Sequence, residues 1–189
     1  MQDATHELAE LARLTGMRRA SSPPPDWSAV TAALGYDVPC DYGRLIETHG
    51  AGLFNNYLQV YGPEHHLRAF DLAAEGLYWH TYFQTEWRRR PDARPAALRD
   101  REITVITWGS TEDAVYCHWI AEPGTDPESW PTAFHTVTGN TWEFHDSPTV
   151  ALLLAFARGD LAGGLIPPCP PGEPVTYTPY PAGRAPRPV

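Results

Sequence analysis

The chain has 189 residues, 42% of them hydrophobic, a length that suits one ordinary domain able to bury a core without disulfides or a structural metal. Its formal charge is −9, and all 14 positive side chains are arginine because the sequence contains no lysine. That balance argues against direct nucleic-acid binding, which needs a basic stripe to displace phosphate counterions, and the missing lysine removes P-loop and Schiff-base chemistry.

Residues 3 to 16 carry Leu8, Leu11 and Leu14 at helical spacing among Glu7, Glu10 and Arg13, which predicts a short amphipathic helix stopped by Gly16. Residues 1 to 25 thus read as an N-terminal helix and linker, without the basic and apolar regions of a secretory signal, and a cytoplasmic location is expected. Asp26 is placed to cap a second helix bearing Trp27, Val30 and Leu34, with Gly35 as its stop. Val38 and Pro39 turn the chain into a third helix over about 41 to 48, ended by Gly50. Residues 53 to 61 read as extended, and the aromatic run 66 to 89 as largely helical.

The second half changes character. β-Branched and aromatic residues alternate between turn signals, predicting strands over about 102 to 108, 114 to 120, 132 to 137 and 141 to 145, the last hairpin closed at Gly139 and Asn140 by a turn that needs positive φ. Asp146 or Ser147 then caps a final helix that presents Val150, Leu153, Leu154 and Ala157, with Gly159 or Gly163 as its stop. Helices, then strands, then a helix define an α+β domain over 26 to 166: a mainly antiparallel sheet with N-terminal, mid-chain and C-terminal helices packed on it. Residues 167 to 189 form a proline-rich tail, expected to lie extended over the domain or to stay loose. No stretch reaches the roughly 18 apolar residues that a membrane-crossing helix needs.

Catalytic and metal signatures are weak. His65 and His66 are adjacent, so their side chains are expected to diverge, and no HxxxH spacing accompanies them. Cys40, Cys117 and Cys169 are scattered and read as reduced, buried thiols rather than metal ligands. Ser110 lacks a GxSxG frame. No catalytic residue, metal or cofactor is assigned, and an enzyme is not the expected reading. The feature that stands out is a stretch of large aromatics (Trp108, Tyr116, Trp119, Trp130, Phe134, Trp142, Phe144) among acidic loop residues. In a half-exposed sheet some of these must reach the open face. Trp108, Trp119 and Trp130 are therefore candidate anchors for a protein partner, with Glu112, Asp113, Glu122, Asp126 and Glu128 steering a basic one.

The order Trp27, Leu34, Gly35, Val38, Pro39, Asp41, Tyr42, Leu45, then Gly50, Ala51, Gly52, Leu53, Phe54 resembles the opening signature of the SUKH superfamily of cell-wall-assembly-regulator-like proteins. Thr107, Trp108, Gly109, Ser110, Thr111, the run from Asp126 to Trp130 and Pro131, and a terminal stretch from Trp142 through Ser147 to Phe156 and Gly159 are similar to its later half, so the likeness covers about 27 to 161. Val38 stands where the family has leucine, and Ala114 follows Asp113 where members often have glycine, which puts that turn's geometry in question. The resemblance implies that Trp27, Gly35, Pro39, Asp41, Tyr42, Gly50 and Gly52 are architectural. It also implies an immunity protein that binds and neutralises a polymorphic or contact-dependent toxin domain, the alternative being a regulatory or scaffold module for a host enzyme or cell-envelope factor.

Overall fold

A computed structural model describes residues 2–21, 23–169 and 173–180. Helix α1 (Gln2–Thr15) is followed by α2 (Trp27–Leu34) and α3 (Cys40–His49), then the hairpin of β1 (Gly52–Phe54) and β2 (Leu58–Val60). Two further helices, α4 (Leu72–Glu75) and α5 (Tyr78–Arg89), precede β3 (Thr104–Thr111), β4 (Val115–Ala121), β5 (Thr132–Thr136) and β6 (Thr141–His145). Helix α6 (Thr149–Arg158) and a last strand, β7 (Tyr177–Pro179), complete an α+β fold. All seven strands join one antiparallel sheet in the order β6-β5-β4-β3-β2-β1-β7.

Local chemistry explains the helix ends. The Asp26 side chain accepts the amides of Ser28 and Ala29, and Gly35 closes α2 at φ 77°, the left-handed region glycine enters without a Cβ clash. Neither Asp146 nor Ser147 caps α6. The cap residue is Pro148, which makes no side-chain cap bond, and Asp41 from α3 supplies the acceptor instead, taking the Val150 amide at 2.7 Å. Gly159, at φ 76°, ends α6.

The first face of the sheet carries the larger core, in which Leu11 of α1, Val30 and Leu34 of α2, Leu45 and Ile46 of α3, and Val150 and Leu153 of α6 pack with Phe54, Trp108, Trp119 and Phe134. Tyr42 ties the layers together: its ring meets Trp119 edge-on at 4.8 Å and its hydroxyl donates to the Tyr61 carbonyl at 2.6 Å. The second face carries a smaller core in which Phe83 and Trp87 of α5 cover Val105, Ile120 and Ala133.

Three departures from the sequence reading have physical reasons. The stretch 53 to 61 is a hairpin rather than one extended run: Asn55 and Asn56 both take φ 51°, and the Tyr57 amide closes the turn on the Phe54 carbonyl at 2.9 Å. The run 66 to 89 is broken into a short turn at Arg68–Phe70, α4 and α5, because Asp71 and Gly76 interrupt it. Part of the proline-rich segment belongs to the sheet: β7 pairs with β1, and Tyr177 packs on Phe54 at 4.9 Å while donating to the Gly50 carbonyl at 2.7 Å. The remainder of that tail, 170–172 and 181–189, lies outside the described residues. No helix among the described residues is long and apolar enough to cross a membrane.

Candidate functional site

The site begins with the spacing of aromatics on α5. Trp79, Phe83 and Trp87 recur every four residues and so form one stripe, which lies on the second face of the sheet. Beneath it, direct register partners align a row of side chains across that face: Leu53, Gln59, Ser110, Tyr116, His135 and Trp142. Trp79 lies over Tyr116 at 4.5 Å, and Phe83 lies against His135 at 5.0 Å and Trp142 at 4.9 Å. One half of the row is thereby roofed.

The other half opens into a cleft of about 460 Å³. Its floor is formed by Tyr61, Thr107, Ser110 and Tyr116, and its walls by Arg68, Phe70, Glu75, Tyr78 and Trp79. The Tyr61 hydroxyl donates to Ser110 Oγ at 3.1 Å, and burial pushes the Tyr61 phenol up to about 12 and raises that of Tyr116, so both stay protonated at neutral pH. Arg68 and Glu75 pair at 2.6 Å on the wall. Just outside, Tyr78 and Tyr82 stand one turn apart on α5 and are 59% and 44% exposed, with Leu67 at 50%.

Behind the floor lie two buried imidazoles. Thr107 Oγ1 and His118 Nδ1 are 3.1 Å apart, while His118 Nε2 and His135 Nδ1 have no hydrogen-bond partner. Burial holds His118 well below its ordinary pKa, and it brings His135 down to about 4, the side chain of Asn140 acting in the opposite direction. A hydroxyl backed by so weak a base, itself backed by no acceptor, is poorly suited to generating a nucleophile. The cleft offers ring faces and hydroxyls, with the Arg68–Glu75 ion pair on its wall.

The residues predicted as partner-binding do not converge here or anywhere else. Trp108 and Trp119 are each 1% exposed and Trp130 is 7% exposed, all in the first-face core, so they cannot anchor a partner in this fold. Trp119 donates its indole N–H to Thr149 at 2.9 Å, and Trp130 donates to Thr125 at 2.9 Å while packing edge-on against Tyr36. Trp108 and Trp119 lie on the first face of the sheet, which the helices of the larger core cover. The acids separate into two groups at opposite ends of β4: Glu112 and Asp113 at the β3–β4 turn, and Glu122, Asp126 and Glu128 in the β4–β5 connection. Seven strand residues put roughly 20 Å between them.

Three of those acids also have structural partners. Glu122 pairs with Arg101 at 2.6 Å, Asp126 accepts the Glu128 amide at 3.0 Å, and Glu128 accepts the Cys40 amide at the start of α3. Glu112 and Asp113 are exposed.

The residues assigned to architecture sit as follows. Trp27 donates to Glu47 at 2.8 Å, Pro39 precedes α3, Gly50 ends it at φ 80°, and a Cβ on Gly52 would fall 2.5 Å from the Tyr177 ring. Two smaller expectations are corrected. The His65 and His66 rings stack at 4.5 Å instead of diverging, because they lie in an irregular loop that follows Glu64 at φ 58°. Cys40 is exposed, while Cys117 and Cys169 are buried, and all three are free thiols. Among the described residues there is no group of three or more histidine, cysteine or carboxylate side chains placed to hold a metal ion.

Nothing in the strand sequences announces the cleft. The fourfold spacing of Trp79, Phe83 and Trp87, with Tyr78 and Tyr82 on the adjoining stripe, was the signal that could have found it. No protein-family model, curated protein or solved structure matches the chain.

Proposed function

We propose that this protein works by gripping another protein, as an immunity protein that neutralises a toxin domain in the cytoplasm without chemistry of its own. The observation that carries the reading is the pair Tyr78 and Tyr82, exposed one turn apart beside a cleft floored by ring faces and neutral hydroxyls. Tyrosines bring a large, rigid, amphipathic contact area at little conformational cost, and a few such anchors carry most of an interface's energy. The net charge of −9 favours a basic partner through steering, with exposed Glu112 and Asp113 contributing. The order of motifs that resembles the SUKH superfamily supports the toxin-binding role specifically.

The test is capture of the tagged protein's partner from its native host, followed by co-expression. One stoichiometric partner, toxic only in the absence of this chain, is the expected result. Tyr78→Ala and Tyr82→Ala should then each weaken the complex by at least tenfold. A spread of housekeeping proteins, or a toxin complex indifferent to both changes, would replace this reading with the regulatory-scaffold one or move the interface off α5.

A further inference from the structure

Six of the chain's fourteen arginines fall between residues 88 and 101, in a segment from 86 to 102 that holds only four carboxylates, although the protein as a whole is strongly acidic. Two of the six are neutralised: Arg90 pairs with Glu86, and Arg101 with Glu122. Arg88, Arg94 and Arg99 have no ion pair among the described residues, and they line one cleft of about 410 Å³ at the C-terminal end of α5, beside Trp87.

We infer that this cleft binds a single oxyanionic group, a carboxylate or a phosphate. Arg94 and Arg88 are held in place before any ligand arrives. The Arg94 guanidinium lies over the Trp87 ring at 4.9 Å and its Nη2 donates to the Arg101 carbonyl at 2.6 Å. Its Nε, by contrast, is buried with no acceptor, an unmet donor of a kind folded proteins seldom leave. Arg88 is positioned by its Nε donating to the Gln84 carbonyl at 2.9 Å. Arg99 follows a turn at Ala96–Leu98 pinned by Leu98, which is fully buried. Planar guanidinium forks held in this way suit the paired oxygens of a carboxylate or phosphate. Asp92 and Asp100 also line the cleft, and their charge limits the ligand to one compact anionic group and disfavours a polyanion such as nucleic acid. This inference stands apart from the Tyr78–Tyr82 reading and does not depend on it.

The test is NMR titration of the intact ¹⁵N-labelled protein with sodium phosphate and, separately, sodium acetate, at constant ionic strength held with chloride. The expected result is saturable, millimolar binding of at least one of the two, shifting the Arg94 Nε–Hε and Trp87 indole signals. Phosphate alone would identify a phosphoryl ligand and acetate alone a carboxylate side chain, and either supports the inference. Arg99→Gln, on the surface and outside both cores, should weaken binding at least fivefold, whereas Arg90→Gln should leave it unchanged. Linear, unsaturable shifts with both anions, or an equal loss in Arg90→Gln, would overturn it.

Discussion

Asp41, in the first turn of α3, accepts the main-chain amide of Val150, in the first turn of α6, across 109 residues of sequence at 2.7 Å, while its other oxygen accepts the Tyr42 amide. A carboxylate 3% exposed thus caps a helix to which it does not belong. Replacing it by alanine strands a buried N–H, so Asp41→Ala is expected to cost about 2 kcal/mol. Asp41→Asn, which keeps an acceptor oxygen, should cost less. Urea unfolding of the three proteins checks this, and equal midpoints for Asp41→Ala and the parent would refute it.

Ala114 closes the β3–β4 turn at φ 59°, where an L side chain is strained. Its amide still bonds the Thr111 carbonyl at 3.1 Å, so the turn is made at a conformational cost. Ala114→Gly should raise stability by roughly 0.5–1 kcal/mol, the relief of left-handed strain exceeding glycine's larger loss of chain entropy. A lower thermal midpoint in the glycine variant would contradict this.

The buried histidines predict acid lability. Their surroundings on β4, β5, β6 and α5 are Tyr116, each other, Trp142, Trp79 and Phe83, with the Asn140 amide touching His135, and none of these supplies a negative charge. In the unfolded chain both imidazoles titrate near 6.5, whereas in the fold His135 titrates near 4 and burial holds His118 well below its ordinary value. The unfolded state therefore takes up protons first. Stability should be undiminished above about pH 6.5 and fall as the pH drops toward 4, His135 alone accounting for about 3 kcal/mol. Denaturant midpoints measured from pH 7.5 to 4 test the slope, and His135→Gln should flatten it.

Gly52 sits where a Cβ would lie 2.5 Å from the Tyr177 ring and 2.6 Å from the Thr178 carbonyl. Gly52→Ala should therefore displace β7, at a cost of roughly 1–3 kcal/mol, and leave the rest of the sheet standing. Hydrogen exchange is expected to speed up at Tyr177 and Thr178 while Val105 and Ile106 stay protected. Unchanged protection at Tyr177 would show that the strand tolerates the methyl group.

Much of the fold was legible because it is written locally. Asp26 before Trp27, Gly35 after Leu34 and the alternation from Thr104 onward each act over a few residues, and the helices and central strands followed from them. What escaped the sequence was long-range. Nothing near Val150 announces that its cap comes from Asp41, and nothing within β4 tells which face α5 will roof. The candidate interface failed for that reason: Trp108 and Trp119 alternate correctly for a sheet face, but that face is covered by helices, and the acids on either side of β4 are neighbours in sequence order alone. β7 was hidden by Pro174 and Pro179, which are tolerable in an edge strand and poor signals of one.

The strand order gives this sheet an uneven assembly history. From β1 to β6 every strand pairs with the one made just before it, and apart from β2 with β3, which are separated by α4 and α5, these contacts close short loops and form quickly. β7 alone must return to β1 across more than a hundred residues, so during synthesis the outer edge of β1, with Phe54 beside it, stays open until after β2 to β6 and α6 have been made. For that interval the nascent chain presents an unpaired strand beside an apolar ring, and its safe passage depends on how soon Tyr177 arrives.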